Sequence, residues 1–155
     1  MSTTMNGRDA VSGSMGRCFV TIEGNRYLLM QVISVKAEME KTKTKVPMGR
    51  SGKGNKATGW EGSGSAKMHY NTSLFRELLL KYQNTGEDIY FDMQLVNEDP
   101  TSTVGRQTVI LKGCNIDGGT LASIDADAEY LEDEFDFTFE SFEIPEKFKN
   151  LPGMQ

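Results

Sequence analysis

Residues 41–70 read KTKTKVPMGRSGKGNKATGWEGSGSAKMHY, and the rest of the chain is best interpreted outward from this stretch. Lysine and threonine alternate at its start, glycine, lysine and serine dominate its middle, and it ends in a strand-like alternation. So long a stretch with so few apolar side chains is uncommon inside a compact domain, where it is usually functional or disordered. Its flanks favour a long hairpin arm (the arm, at about residues 41–60) that leaves the body and is received by something outside the monomer.

Charge is unevenly distributed along the chain. The net formal charge of −5 argues against nucleic-acid binding as the main role. The arm has no acidic residue between residues 41 and 56, whereas residues 125–146 hold ten acidic residues and no basic one. Two interpretations stay open: head-to-tail contact between copies, or two solvated faces. The basic residues of the arm are Lys41, Lys43, Lys45, Arg50, Lys53 and Lys56. The candidates for an acidic contact surface are Glu129, Glu132, Asp133 and Glu134.

The length of 155 residues suits one domain with a hydrophobic core, although apolar residues are only 37% of the chain. We predict a flexible N-terminal tail at 1–16, a single β domain at 17–148 that includes the arm, and a C-terminal tail at 149–155. No apolar run approaches the roughly 18 residues of a membrane span, and residues 1–16 lack the apolar segment of a secretory signal. Cys18 and Cys114 are expected to be free thiols of an intracellular protein, with a single disulfide as the alternative.

Alternating hydrophobicity predicts a mainly β protein. A helix at 74–83 carries an apolar stripe and follows a cap signal at 71–73. A turn at 117–119 is expected to join two strands. The order strands, helix, strands favours a β-sandwich or barrel with one α-helix packed on it. The predicted strands are 17–23, 27–29, 31–41, 65–70, 89–96, 106–116, 120–128 and 134–142.

Three of these strands have one apolar and one polar face. In strand 134–142, Phe135, Phe137 and Phe139 are expected in the core. Strands 31–41 and 120–128 alternate in the same way, which is typical of an antiparallel sheet with one wetted side. Their polar faces consist of Ser34, Lys36, Glu38 and Glu40 in the first strand and Ser123, Asp125 and Asp127 in the second.

No pattern in the sequence supports catalysis or a bound cofactor. Residues 49–54 are rich in glycine, but a phosphate loop needs another spacing and a following helix. Asp125-x-Asp127-x-Glu129 would need glycine where Tyr130 stands to form an EF-hand calcium loop. His69 is the only histidine, which excludes a zinc site with several histidine ligands. We therefore predict no enzyme activity, no metal and no cofactor.

Two stretches of the chain carry a family resemblance. The first contains MGR at 48–50, KATG at 56–59, GSGSA at 62–66 and YNTSLF at 70–75. The second contains NID at 115–117, LASIDAD at 121–127, LEDE at 131–134 and FTFESFEIPEKF at 137–148. Both resemble the tail tube protein of contractile phage tails, of the type found in PBSX-like defective prophages. The resemblance covers nearly the whole chain after Gly16, in the same order.

The resemblance implies a fold and an assembly. Family members form hexameric rings that stack helically into a tube inside a contractile sheath, and strands of six subunits join into one barrel around a lumen. The chain would be a structural tail tube protein of a phage or of a phage-derived bacteriocin particle. The basic arm would contact the neighbouring ring, and exposed sheet edges would be closed by neighbouring subunits. The polar faces of strands 31–41 and 120–128 would line the lumen; the alternative is the outer surface under the sheath.

The implied partners are other copies of the chain, the sheath protein, the tape-measure protein, and the baseplate and tail-terminator proteins. DNA would pass the lumen without specific binding, and no membrane is involved. The expected location is a virion or tail-like particle assembled in the bacterial host cytoplasm. Two alternatives stay open: a monomeric β-barrel binding module whose glycine-rich arm is a lid, and the tube protein of a type VI secretion system.

Overall fold

The computed structural model describes residues 6–13, 16–29 and 32–151. Eight strands and one α-helix lie in these ranges, so the predicted mainly β class with one helix is confirmed. The elements are β1 (Gly16–Ile22), β2 (Asn25–Leu28), β3 (Val32–Pro47), β4 (Lys53–His69), α1 (Leu74–Thr85), β5 (Phe91–Glu98), β6 (Arg106–Gly119), β7 (Glu132–Phe139) and β8 (Ser141–Glu146). They divide into two compact units, and β6 contributes its first half to one unit and its second half to the other.

The first unit contains β1, β2, β5, β8 and β6 as far as Gly113. Its antiparallel strands lie in the order β2-β1-β5-β6, and β8 also pairs with β6. A two-residue turn at Glu23 and Gly24, both at positive φ, joins β1 to β2 and matches the twist of a tight hairpin. The buried apolar side chains are Cys18, Val20, Ile22, Leu29, Phe91, Met93, Val96, Val104 and Leu111.

Part of the predicted N-terminal tail is held in this unit by hydrogen bonds. Residues 7–9 form a 3-10 turn, and the Asp9 carboxylate accepts a bond of 2.7 Å from the Thr103 hydroxyl. The Ser102 hydroxyl donates to the Asp9 backbone oxygen at 2.9 Å. The Ser12 amide donates to the Asp99 carboxylate at 3.0 Å. Residues 6–13 are therefore attached to the loop after β5, whereas residues 1–5 and 14–15 of the predicted tail lie outside the described residues.

The second unit contains the second half of β6 with β7, β4, β3 and α1. Its antiparallel order is β6-β7-β4-β3, so among the described strands β3 pairs on one side only. Phe135, Phe137 and Phe139 are buried as predicted, and the ring of Phe75 on α1 stacks on Phe135 with centroids 4.3 Å apart. The helix thus covers the apolar face of this sheet.

Three predicted boundaries near the end of the chain are wrong. Residues 120–131 are not a strand, because the Asp125 carboxylate accepts the Asp127 amide at 3.1 Å and stabilises a turn. Gly118 and Gly119 do not form a hairpin turn; they belong to β6 beside a bulge, and Gly119 is packed against Phe135. The predicted strand 134–142 breaks at Glu140, after which β8 pairs in the first unit.

Candidate assembly surfaces

The arm is a paired hairpin throughout its length. Strands β3 and β4 keep antiparallel register from Lys41 opposite Trp60 to Pro47 opposite Lys53, with a bulge after Thr42. Pairing of β4 with β7 begins only at Gly62, so in the described chain the arm strands pair solely with each other. The tip spans 48–52, where positive φ at both glycines allows the reversal and the Met48 amide donates to the Gly52 oxygen at 2.8 Å. The arm is therefore a regular two-stranded hairpin, as its flanking residues indicated.

The register sorts the basic residues of the arm onto two faces. Lys41, Lys43 and Lys45 alternate along β3 and share one face, and Lys53 joins them because it lies opposite Pro47. Lys56 lies opposite Thr44 and so belongs to the other face. Arg50 is in the tip. All six are exposed, so the hairpin carries one lysine-rich face, formed by Lys41, Lys43, Lys45 and Lys53.

The arm tip also has an apolar part, which the sequence analysis did not single out. Val46 lies opposite Gly54, and the Met48 side chain covers that glycine so closely that a Cβ there would lie 2.9 Å from the Met48 sulfur. Met48 is nevertheless 51% exposed and Val46 is 43% exposed. The alternation of Thr42, Thr44 and Val46 on the face opposite the lysines was the signal available in the sequence.

A polar face crosses three strands of the second unit. Residues directly opposite in register share a face, so Lys36 lies with Ser65 and Asp136, and Glu38 with Ser63 and Thr138. The Lys36 ammonium contacts the Glu38 carboxylate at 2.8 Å, and this bond raises the pKa of Lys36. The four candidates on β3 (Ser34, Lys36, Glu38 and Glu40) are all exposed on this face. Strands β4 and β7 add residues that were not predicted for it, two of which, Glu132 and Glu134, were assigned to the acidic contact surface instead. The added residues are Glu61, Ser63, Ser65, Lys67, Glu132, Glu134, Asp136 and Thr138.

The other three candidates for the lumen do not belong to that face. Ser123, Asp125 and Asp127 lie in the 120–131 segment, which forms no strand and therefore has no register with β3, β4 or β7. Asp125 and Asp127 are exposed and Ser123 is half-buried. Ile124, expected on an apolar strand face, is 95% exposed. The alternation at 120–128 thus comes from a turn-rich loop.

Asp133 is a correction to the proposed acidic contact surface. It lies on the apolar face of β7 with Phe135, and its carboxylate oxygens are 2.6 and 2.7 Å from Nη1 of Arg76 on α1. Burial and this ion pair remove it from the surface. Glu129 and Glu134 are exposed, and the half-buried Glu132 contacts the Lys67 ammonium at 3.7 Å.

Reactive groups in the described part of the chain are sparse. Within residues 6–13, 16–29 and 32–151, no group of three or more His, Cys, Asp or Glu could hold a metal. The His69 ring makes an edge contact with Tyr130 at 5.2 Å. Cys18 and Cys114 are buried, and desolvation raises the pKa of the Cys18 thiol to about 12. None of the described helices is long and apolar enough to cross a membrane.

Comparison with solved structures shows which known proteins share this fold. A chain in the anti-feeding prophage baseplate, determined with six-fold symmetry, superposes with a TM-score of 0.65 at 12% identity, covering 93% of this chain and 97% of that one. A chain of the PVC extracellular contractile injection system, in its extended sheath-tube complex, gives 0.60 at 14% identity, covering 83% and 87%. This chain therefore shares its fold with chains of these two assemblies.

Sequence comparison is more specific. The model of the phage tail tube protein family matches residues 3–146. The phage-like element PBSX protein XkdM of Bacillus subtilis strain 168 is 37% identical over 147 residues, covering 94% of this chain and 97% of the relative. The chain belongs to the phage tail tube protein family, whose members are structural proteins of the tail.

Proposed function

We propose that this chain stacks as hexameric rings into the inner tube of a contractile phage tail or of a phage-derived bacteriocin particle. The observation that carries the proposal is the free edge of β3, a strand of 16 residues that pairs only with β4 among the described strands. A long edge strand invites pairing with another chain, and native proteins close or block such edges. A ring of six subunits gives every β3 edge a neighbour.

The polar face of β3, β4 and β7 is proposed to line the lumen. Its carboxylates outnumber its two lysines, Lys36 and Lys67, so a ring would present a negative wall. In a particle that carries DNA, like charge keeps the polyanion from adhering, whereas a basic wall would bind phosphates and release counterions. DNA would then pass without specific binding. With Ser123, Asp125 and Asp127 outside this face, the proposed lining rests on the strand residues alone.

The arm is proposed to reach the neighbouring ring, because it projects beyond the last pairing with β7 and is basic at all six candidate positions. The baseplate and sheath-tube assemblies of the structural neighbours support a baseplate and a sheath protein as partners. A tail terminator and a tape-measure protein complete the proposed set. Assembly would take place in the cytoplasm of the bacterial host, with no membrane involved.

Electron cryo-microscopy of the purified chain, after sizing chromatography, tests the proposal. The expected result is a tube of six-fold rings in which Lys36 and Glu38 face the bore. A chain that stays monomeric at high concentration would overturn the proposal and favour the monomeric binding module. The structure gives that module little support, because the arm is a regular hairpin and not an open lid. Tubes with β3 on the outer wall would overturn only the lumen assignment.

A further inference from the structure

The second unit has a cleft that the proposed ring and lumen do not use. It lies beside the C-terminal half of α1, residues 88–89 and the end of β6, with a volume of about 250 Å³. A cavity needs only about 10–15 Å³ to hold one water, so this cleft can accept side chains. Its apolar walls are Leu78, Leu79, Tyr82, Ile89 and Ile116.

The mouth of this cleft is acidic. Asp88 and Asp117 both line it and are exposed, and none of the lining residues is basic. The Asp88 carboxylate accepts a hydrogen bond of 2.7 Å from the Asn115 side-chain amide, which fixes its position at the wall. A cleft with apolar side chains on its walls and two carboxylates at its mouth favours a partner that presents both an apolar anchor and positive charge.

The arm has both features. Met48 and Val46 form an exposed apolar tip, and the lysine-rich face runs back from it as far as Lys41. The tip does not occupy the cleft of its own chain, because Met48 is 51% exposed and Tyr82 of the cleft is 54% exposed. Both surfaces of one copy are thus available to other copies, as a head-to-tail contact requires.

We propose that the cleft is the receptor for the arm tip of another copy. The hairpin enters tip first: the face with Met48 and Val46 lies against Tyr82 and the other apolar walls, and the lysine-rich face, on the opposite side of the hairpin, lies against Asp88 and Asp117. The proposal rests on the tube function and specifies its inter-ring contact. Because the arm tip and the cleft are different surfaces of one chain, the contact is heterologous, and it propagates a stack when the rotation between copies does not close a ring.

Disulfide mapping in mixed tubes tests this contact. One chain carries Met48→Cys and a second carries Tyr82→Cys; the mixture is polymerised and then treated with a mild oxidant. The expected result is a covalent dimer in tubes and none in unassembled protein. A Met48→Cys chain mixed with an Ile124→Cys chain is the matched control, because Ile124 is 95% exposed and lies outside the cleft. The native cysteines can stay, since both are buried.

Charge reversal gives an independent measurement. Asp117→Lys should slow polymerisation about tenfold or more, in the range expected for lost electrostatic steering, and Lys45→Glu with Lys53→Glu should restore the rate in the same chain. Tubes that cross-link equally through Ile124, or not through Tyr82, would overturn the cleft proposal and leave the tube function intact. Failure of the charge-reversed arm to restore the rate would also count against it. Absence of tubes from the unaltered chain would instead overturn the function itself.

Discussion

Arg76 of α1 reaches across to Asp133 of β7, and a single guanidinium nitrogen lies 2.6 and 2.7 Å from the two carboxylate oxygens. The side chains are only 19% and 10% exposed. A second nitrogen of Arg76 donates to the Thr72 backbone oxygen just before the helix, and the guanidinium carbon lies 4.5 Å from the centre of the Tyr70 ring. One side chain therefore joins the helix, its leading segment and the sheet.

Arg76→Ala should lower the free energy of unfolding by about 3 kcal/mol, because it leaves a buried carboxylate without its cation. Denaturant unfolding of the unassembled subunit measures this. Arg106→Ala is the control: its pair with Glu146 has a similar distance of 2.8 Å but is exposed to solvent, so its loss should change the free energy of unfolding much less. Equal losses in the two variants would contradict the structural role given to Arg76.

Two glycines of β4, Gly62 and Gly64, leave no room for even a methyl group. A Cβ at Gly64 would lie 2.4 Å from the Phe137 ring and 2.6 Å from the Lys36 backbone oxygen, and the backbone atom cannot move aside cheaply. Gly64→Ala should cost about 1–3 kcal/mol through overpacking. Gly59→Ala, with no atom within 4 Å of its Cβ, is the matched control and should leave the unfolding midpoint nearly unchanged.

The contribution of α1 should be concentrated at Phe75. This ring is buried and stacks on Phe135, so Phe75→Ala should cost about 3–5 kcal/mol. Leu78 is half-buried and lines the cleft, so Leu78→Ala should cost less than the roughly 2–5 kcal/mol of a fully buried leucine. Thermal unfolding of both variants checks the order, and a larger loss for Leu78→Ala would show that the helix packs differently.

Acid should weaken the attachment of the N-terminal segment. The Thr103 hydroxyl that donates to Asp9 holds the pKa of that carboxyl below its ordinary value of 3.8. The Thr101 side chain, and then the Ser12 amide, do the same to the pKa of Asp99. Because both folded pKa values are depressed, their stabilisation is complete above the ordinary value and is lost as pH falls through the lower folded values.

Unfolding midpoints measured from neutral pH down through this acid range test the linkage. Asp9→Asn should flatten the decline of stability below pH 3.8 relative to the unaltered chain. Asp136→Asn removes one charge from an exposed position in the other unit and serves as the control. If the unfolding midpoints of Asp9→Asn and of the unaltered chain fell equally steeply in acid, Asp9 would not be the group whose protonation weakens the N-terminal attachment.

Shortening the arm should separate folding from stacking. Replacing residues 43–58 with a two-residue Asn-Gly turn keeps the β3 and β4 segments that lie beside β7, and keeps Trp60 against Phe139, where the ring centroids are 6.2 Å apart. The expected product is a folded subunit with a nearly normal melting temperature that forms no long tubes in negative stain. Long tubes from this variant would show that the arm is not the inter-ring contact.

The parts of the fold that were predicted from sequence are those in which pattern and packing agree. Phe135, Phe137 and Phe139 alternate with polar residues because one face of β7 is covered and the other is not. The helix begins at Leu74 as predicted, and it ends at Gly86, whose backbone amide donates a hydrogen bond of 2.8 Å to the Tyr82 oxygen. Local periodicity was sufficient for both.

The misread parts depend on contacts that no local pattern encodes. Residues 120–128 alternate like a strand, yet the bond from the Asp127 amide to Asp125 competes with sheet pairing. Gly119 is needed because a Cβ there would lie 2.8 Å from the Cβ of Phe135 on the neighbouring strand, not because the chain turns at this position. In the sequence Asp133 looks like the acidic residues on either side of it, and only its ion pair with Arg76 shows that it is buried while they are not. The cleft likewise joins α1 to the distant end of β6.

The arm also has a consequence for the order of folding. Its strands adjoin through the short tip at 48–52, so this ribbon needs little loop closure and should form on the timescale of about 1–10 μs typical of hairpins. Pairing of Gly62 with Phe139 must instead bring together segments far apart in the chain, which is slow. A newly made subunit would thus have its projecting ribbon before the sheet that anchors it. At high local concentration, the folded arm of one nascent chain would then be able to contact the still unfolded sheet of another before either subunit is complete.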